Sequence, residues 1–322
     1  MLILSDDFDW KNSEAHLLLL SKFIEPNFSS IFEKSQAWET ILKEKPAKAI
    51  QRFNREGYLT ERNLDTEKDL TNIQQNQKLE RRGNANTTPE RKPGLQKELS
   101  NPTSDFLEGL VAGSRIYYCS TMGLQFANKY LQKKENEKEE VEKILINLLH
   151  QNQFEKSSDL VTEYEARQLF PKRIVGTGTN HKLKQDVEVL TLISTSHPKI
   201  LKEISSHELD DLRLAASMMY LWDTHTGVKW IPSQFKLSTC MGVDTAVRML
   251  CSYSVNLSKL SELQPGKDGI VRVTISTKEE CCTECNMLSG NIYQLKDVIE
   301  IPFERCTNIL GCECSYSPLP VN

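Results

Sequence analysis

A cluster of cysteines near the C-terminus limits the possible folds of this chain more than any other part of its sequence. The sequence has nine cysteines, and six of them fall between positions 281 and 314. A segment this short buries little apolar surface by itself, so it needs cross-links or a metal ion to hold its shape. The first residues, Met-Leu-Ile-Leu-Ser-Asp-Asp, lack the basic start and long apolar run of a secretion signal, so we expect a cytoplasmic protein. Clustered cysteines in a reducing compartment are more typical of metal ligands than of disulfides.

The spacing of these cysteines suits a closed metal site. Cys282-x-x-Cys285 can form a turn that brings two thiolates to one side, and a second pair can come from Cys306, Cys312 and Cys314. Four thiolates favour Zn²⁺, and a site closed by four protein ligands is structural. The preferred ligands are Cys282, Cys285, Cys312 and Cys314, with Cys306 as a near-equal substitute. Ordinary reduced cysteines, an iron–sulfur cluster and a redox disulfide are the alternatives.

The tail has a strand, a Cys-x-x-Cys, a Leu-x-Gly-x-x-Tyr pattern, a proline-containing segment and a closing Cys-x-Cys, in that order. This order resembles the C-terminal module of phage Mu F-like head-morphogenesis proteins. The matching positions are Cys282, Cys285, Leu288, Gly290, Tyr293, Pro302, Cys312 and Cys314. The chain adds Cys306 and lacks the His-Pro that usually precedes the last pair. The resemblance implies a shared small metal-binding fold and not a shared function.

Most of the remaining sequence has the apolar spacing of helices. Residues 1–60 predict a small helical bundle, with one helix from Pro46 to a glycine cap at Gly57. A helix or helix-turn-helix with a break at Gly123 is expected from Ile116 to Tyr130, and no strand is expected between 105 and 260. The period changes to two from Ile270 to Ile275, which predicts a strand. The scattered Cys119, Cys240 and Cys251 are expected in the core.

The predicted fold class is mainly α, with multi-helix domains and a small C-terminal β-containing zinc-binding module. Four parts are expected: an N-terminal helical unit (1–60), a polar segment (61–104), a central helical domain (105–264) and the cysteine module (265–322).

The polar segment is too poor in apolar residues to bury a core, which favours a disordered linker. Within it, Leu79-Glu-Arg-Arg-Gly83 is followed by Thr87-Thr-Pro and by Arg91-Lys92-x-x-Leu95-x-x-x-Leu99. This pattern is similar to the SAP motif, a helical hairpin that binds DNA or RNA mostly through the nucleic-acid backbone. The turn is longer than in the motif, and Pro89 replaces its second glycine. The resemblance implies phosphate contacts from Arg81, Arg82, Arg91 and Lys92.

Composition and motifs narrow the function classes. Lys and Arg total 40 against 44 Asp and Glu, so the net charge of −4 excludes a polycation but permits a local basic patch. The sequence contains no Walker A loop, G-x-S-x-G, H-E-x-x-H or G-x-G-x-x-G motif, and its six histidines are dispersed, which favours a non-enzymatic protein. No stretch reaches the ~18–20 apolar residues of a membrane span.

The leading hypothesis is a nucleic-acid-associated protein that contacts DNA or RNA through residues 78–97 and another protein through its central helical domain. One alternative is a structural or adaptor protein in which 61–104 is a flexible, cleavable tether. The other is an enzyme whose site is not visible in the sequence.

Overall fold

The computed structural model describes residues 8–33, 35–63, 115–171, 179–222, 226–263, 272–278 and 281–319. The chain divides into two compact units, unit 1 from Met1 to Glu139 and unit 2 from Glu140 to Asn322. The SAP-like segment, with Arg81, Arg82, Arg91 and Lys92, lies outside the described residues. Within the described ranges the chain is mainly helical, as predicted, and it has small C-terminal strands.

Unit 1 combines short helices with a three-stranded sheet. After a 3-10 turn at Trp10–Asn12, its elements in chain order are α1 (Glu14–Ser21), β1 (Asn27–Phe28), α2 (Ser30–Glu33), α3 (Gln36–Leu42), α4 (Pro46–Arg55), β2 (Leu59–Asn63), β3 (Arg115–Cys119) and the first part of α5 (Thr121–His150). The predicted Pro46 helix is confirmed, and Gly57 adopts the positive φ of +80° that suits a glycine after a helix.

The expectation of a purely helical bundle is wrong for unit 1, because its strands form an antiparallel sheet in the order β1-β3-β2. The expected helix at Ile116 is also wrong, since Arg115–Cys119 is the central strand. Apolar positions at 116, 117 and 119 fit either a helix or a strand, and pairing with distant segments decides between them.

Gly123 does not break α5, which continues through it. A Cβ atom at this position would lie 2.0 Å from the carbonyl oxygen of Tyr58. Glycine therefore allows the start of α5 to approach the backbone that leads into β2. The glycine at this position indicates close packing and does not mark the end of a helix.

A buried ion-pair network joins the helices of unit 1. His16 is 1% exposed; its Nδ1 lies 2.8 Å from the Ser13 hydroxyl and its Nε2 lies 2.7 Å from a Glu44 oxygen. Arg52 donates two hydrogen bonds of 2.9 Å to the same carboxylate. Burial raises the pKa of Glu44, but the hydrogen bonds from His16 and Arg52 outweigh it and hold the pKa below its usual value. Arg52 occupies both oxygens of the Glu44 carboxylate, so we interpret this cluster as structural. It connects α1, the turn between α3 and α4, and α4.

Residues 64–114, which contain most of the polar segment, form an insertion between two paired strands of unit 1, whereas residues 61–63 are part of β2 and not of a linker. β2 and β3 are antiparallel neighbours, with Leu59 opposite Cys119 and Asn63 opposite Arg115. Paired Cα atoms in such a ladder are about 4.5–5.5 Å apart, so the chain leaves the sheet at Asn63 and re-enters beside it at Arg115. Both flanks of the segment belong to unit 1, and the chain passes from unit 1 to unit 2 within α5.

Unit 2 packs helices against a second small sheet. Its elements are the C-terminal part of α5, α6 (Phe154–Ala166), α7 (Thr179–Thr195), α8 (Ser206–Trp222), α9 (Val243–Glu262), β4 (Arg272–Ser276), α10 (Thr283–Asn286), β5 (Ile292–Gln294) and β6 (Ser315–Leu319), with 3-10 turns at Lys199–Leu201, Val228–Trp230 and Leu295–Asp297. β4 confirms the predicted strand and pairs with β5 on one side and β6 on the other.

The helices and the cysteine module of unit 2 share one hydrophobic core. Leu190 of α7, Leu250 of α9 and Val273 of β4 belong to the same buried cluster as Cys285 and Cys314. The cysteines are therefore placed against the helices and not on a separate appendage. None of the helices in the described ranges combines the length and apolar character needed to cross a membrane.

Replacing residues 64–114 with Asn-Gly tests the insertion. This dipeptide favours the two-residue turn that joins antiparallel strands, and a short loop costs less closure entropy than a long one. We expect the shortened chain to fold with unchanged or higher thermal stability. Hydrogen-exchange mass spectrometry should show the amides of Arg115–Cys119 as protected as in the full chain. The matched control carries Pro-Pro at the same place, which cannot form that turn. Loss of protection in the Asn-Gly chain would contradict the assigned strand pairing.

Candidate metal centre

The first two cysteines of the cluster lie on a tight turn. Cys282 precedes the single-turn helix α10, and its carbonyl accepts a 2.9 Å hydrogen bond from the Asn286 N–H. This turn places Cys285 on the same side as Cys282, as the C-x-x-C spacing predicts. The backbone N–H groups of Cys285 and Thr307 donate to the Cys282 sulfur. Burial raises the pKa of Cys282, but these hydrogen bonds outweigh it and lower the pKa to about 7.

Five sulfur atoms meet in two overlapping triplets. One triplet consists of Cys282, Cys285 and Cys306, and the other of Cys285, Cys312 and Cys314. Within each triplet the sulfurs lie within 4.8 Å of one another, and Cys285 belongs to both. The sulfurs of Cys282 and Cys306 are 3.8 Å apart. A tetrahedral ion with bonds of about 2.3 Å holds neighbouring sulfurs about 3.8 Å apart, so the cluster can hold a metal ion.

Crowding and burial make this arrangement costly for thiols alone. Cys285, Cys306, Cys312 and Cys314 are only 1%, 8%, 7% and 3% exposed. Hydrogen bonds from the thiols of Cys285, Cys306 and Cys314 lower the pKa of Cys312. Further thiolates beside Cys312 would repel it in a buried site. Every ligand thiol loses its proton when a metal ion binds. The positive charge of the ion then offsets the repulsion among the thiolates.

Helix α9 holds the last pair of cysteines in place. Four of its side chains donate hydrogen bonds to backbone carbonyls of residues 309–314, and we call this set the α9 clamp: Thr245 to Ile309 (2.7 Å), Arg248 to Leu310 (3.5 Å), Ser252 to Cys312 (2.9 Å) and Asn256 to Cys314 (3.1 Å). Positions three and four apart share one face of a helix, so the clamp is a single stripe. It fixes the backbone of Cys312 and Cys314 while their sulfurs meet Cys285.

Close contact between α9 and this loop requires a glycine. Gly311 has a φ of +91°, and a Cβ atom there would lie 2.6 Å from the Cβ of Arg248. A larger residue would therefore separate the loop from the clamp. Beyond the loop, Tyr316 on β6 donates to the Ile299 carbonyl at 2.8 Å and accepts from the Ile301 N–H at 3.0 Å, which anchors the segment before Cys306.

All five sequence-predicted ligands lie in the two triplets, and Cys306 shares one of them with Cys282 and Cys285. Cys281 is partly buried but belongs to neither triplet. Of the three scattered cysteines, Cys119 is buried on β3, where burial raises its pKa to about 12. The expectation of a core position is wrong for Cys240, which is exposed in the turn-rich loop before α9.

The residues of the α9 clamp were not identified from the sequence as parts of the site. Their signal is a stripe of polar side chains, Thr245, Arg248, Ser252 and Asn256, along a helix whose opposite face carries Val247 and Leu250 in the core. Such a stripe usually faces solvent, and only the contact with residues 309–314 gives it a role.

Comparisons of this chain with protein-family models, with curated proteins and with solved structures find no match.

Substitution of Asn256 by Ala tests the clamp. The change removes the hydrogen bond to the Cys314 carbonyl without touching a thiol, so the second triplet loses part of its positioning. We expect metal affinity to fall by about 10–100-fold, the usual effect of losing a group that orients a ligand. Competition with a chromophoric chelator measures it. Asn147→Ala, at an exposed position of α5 in the same unit, is the matched control. Equal affinities of the Asn256→Ala and control chains would exclude a positioning role.

Proposed function

We propose that unit 2 is a non-enzymatic helical module closed by one structural Zn²⁺, with Cys282, Cys285, Cys312 and Cys314 as its ligands. The observation that carries this proposal is the sharing of Cys285 by two sulfur triplets against one helical core. Four protein ligands leave no position for water or substrate on the ion, so its role is to hold the fold.

The compactness of the cluster favours a single ion over an iron–sulfur cluster. In such clusters two or more iron atoms separate the cysteine ligands. Here three of the proposed ligand sulfurs, those of Cys285, Cys312 and Cys314, lie within 4.8 Å of one another, and the sulfur of Cys282 lies within the same distance of Cys285, which favours one ion. Zinc is the metal that suits a tetrahedral set of four thiolates without redox chemistry.

Metal binding would supply much of the free energy that folds the C-terminal module. Structural zinc sites contribute about 10–16 kcal/mol of apparent binding free energy at neutral pH. β5 has three residues and α10 has four, so neither element is stable by itself. The zinc ion would join α10, the segment around Cys306 and the end of the chain into one unit.

Cys285→Ser is the strongest single test of the zinc proposal, because this residue belongs to both triplets. We expect the purified wild-type chain to contain one zinc ion and the variant to lack it, as measured by inductively coupled plasma mass spectrometry. The variant should also lose the thermal stability that a chelator removes from the wild type. Cys281→Ser changes the neighbouring cysteine outside both triplets and should retain metal and stability. A zinc-free wild type, or full zinc in Cys285→Ser, would overturn the proposal.

We further propose that the polar insertion binds nucleic acid through its SAP-like pattern, which rests on the sequence alone. Arg81, Arg82, Arg91 and Lys92 would contact phosphates, and β2 and β3 would anchor the insertion at both ends. The adaptor alternative instead assigns partner binding to the helices and gives the insertion no ligand. Because both flanks of the insertion lie in one sheet, a cut inside it would leave the two fragments paired through β2 and β3.

Replacing Arg81, Arg82, Arg91 and Lys92 with Gln tests the nucleic-acid proposal. Each lost phosphate contact should reduce the slope of log affinity against log salt by about 0.9 for duplex DNA. We expect weaker binding of DNA or RNA in a fluorescence-anisotropy titration, with a shallower salt dependence. The control chain carries Gln at four exposed lysines elsewhere, Lys129, Lys133, Lys143 and Lys156, and has the same net charge. Equal loss in both chains, or no wild-type binding at low salt, would favour the adaptor alternative.

A further inference from the structure

The metal centre has one more thiol than a tetrahedral ion can bind. The second triplet, Cys285, Cys312 and Cys314, is buried throughout, whereas the first contains the partly exposed Cys282. If the zinc ion takes the second triplet and Cys282, as the proposed function holds, then Cys306 is the fifth thiol. Its sulfur lies 3.8 Å from that of Cys282.

We propose that Cys282 and Cys306 are a redox pair: a hydroperoxide oxidises them to a reversible disulfide, and this change releases the zinc ion. The inference rests on the proposed zinc site and adds its regulation.

Exposure decides where the oxidant attacks first. Cys282 is partly exposed, whereas Cys285, Cys306, Cys312 and Cys314 are buried. A hydroperoxide arriving from solvent therefore meets Cys282 before the other four thiols, and reactivity towards oxidants follows exposure and thiolate character. Cys306 is held beside it, and a modest rotation of the two side chains shortens 3.8 Å towards the bond length of about 2.0 Å.

The oxidation proceeds in two steps. The Cys282 thiolate attacks the terminal oxygen of the hydroperoxide, an S–O bond forms, the O–O bond breaks, and an alcohol or water leaves after taking up a proton, while Cys282 would give up its bond to the ion. Cys282 is then a sulfenic acid. The Cys306 sulfur attacks the Cys282 sulfur, an S–S bond forms, the S–O bond breaks, and hydroxide leaves as water with the proton of Cys306. The two thiols lose two electrons, which reduce the hydroperoxide.

The disulfide would leave the ion with three protein ligands. Cys282 no longer donates a thiolate, and Cys306, the natural substitute, is consumed in the same bond. Only Cys285, Cys312 and Cys314 remain. Coordination falls from four thiolates to three, so the ion becomes exchangeable with a chelator of moderate strength.

The α9 clamp makes this change reversible. Ser252 and Asn256 hold the carbonyls of Cys312 and Cys314 through contacts that involve neither the ion nor the oxidised pair. These contacts stay available to guide the loop back onto α9 after the ion leaves. Reduction of the disulfide by a thiol restores Cys282, and the centre can then take up zinc again.

The test uses the zinc-loaded full chain and hydrogen peroxide. Zinc release is followed with a chromophoric chelator, and disulfides are mapped by mass spectrometry after digestion with trypsin. Cleavage after Lys296 and Arg305 separates Cys282 from Cys306, so their disulfide joins two distinct peptides. We expect release of one zinc ion per chain, a Cys282–Cys306 disulfide assigned from the fragment ions, and recovery of zinc binding after dithiothreitol.

Cys306→Ser separates this proposal from the zinc proposal. The variant should bind zinc but lose the fast peroxide-driven release, while Cys281→Ser and Cys240→Ser should release zinc like the wild type. A wild-type disulfide between other cysteines, or release from Cys306→Ser at the wild-type rate, would overturn the redox pair. If Cys306→Ser fails to bind zinc, the mapped wild-type disulfide still decides the pairing. If the wild type carries no zinc, the zinc proposal fails, and mapping of the oxidised metal-free chain still tests the pair.

Discussion

The contact between α9 and residues 309–314 is the interaction on which the C-terminal half of the metal centre depends. Four side chains on one helical face bind the carbonyls of Ile309, Leu310, Cys312 and Cys314. A hydrogen bond of this kind contributes about 1 kcal/mol net, so the clamp as a whole is worth only a few kcal/mol. A structural zinc ion contributes about 10–16 kcal/mol. These free energies assign different roles to the clamp and the metal. The clamp determines where the thiols lie, and the metal would supply most of the stability.

Burial and crowding explain why thiols alone would hold the cluster poorly. Four of its five cysteines are buried, and ionisation of several thiols in so small a space would bring like charges together. The polar clamp behind them is itself incompletely satisfied, since the Asn256 Oδ1 atom is buried without a hydrogen-bond partner in the described part of the chain. A cation would attract each thiolate and so offset the repulsion among them, which would explain why the thiols can lie so close together.

Local patterns predicted the parts of the fold whose causes are local. The Pro46 helix and the Cys282-x-x-Cys285 turn depend on neighbouring residues, β4 has a clear alternation of apolar and polar residues, and all three are present. β3 was missed because its apolar spacing also suits a helix, and its partners Asn27–Phe28 and Leu59–Asn63 are distant in sequence. Gly123 was misread for a related reason, since the Tyr58 carbonyl that requires it belongs to another segment. The five ligand candidates could be found from residue type, but the clamp could not.

The sheet of unit 1 also changes what the polar insertion can be. A linker between two folded bodies is attached to a different body at each end and must span the distance between them. Here the segment leaves at Asn63 and returns at Arg115, which are paired across β2 and β3. Loop closure costs grow only slowly with length, so a sheet can carry an insertion of this size at little expense in stability. The two ends of the insertion are thus held next to each other by the pairing of β2 with β3.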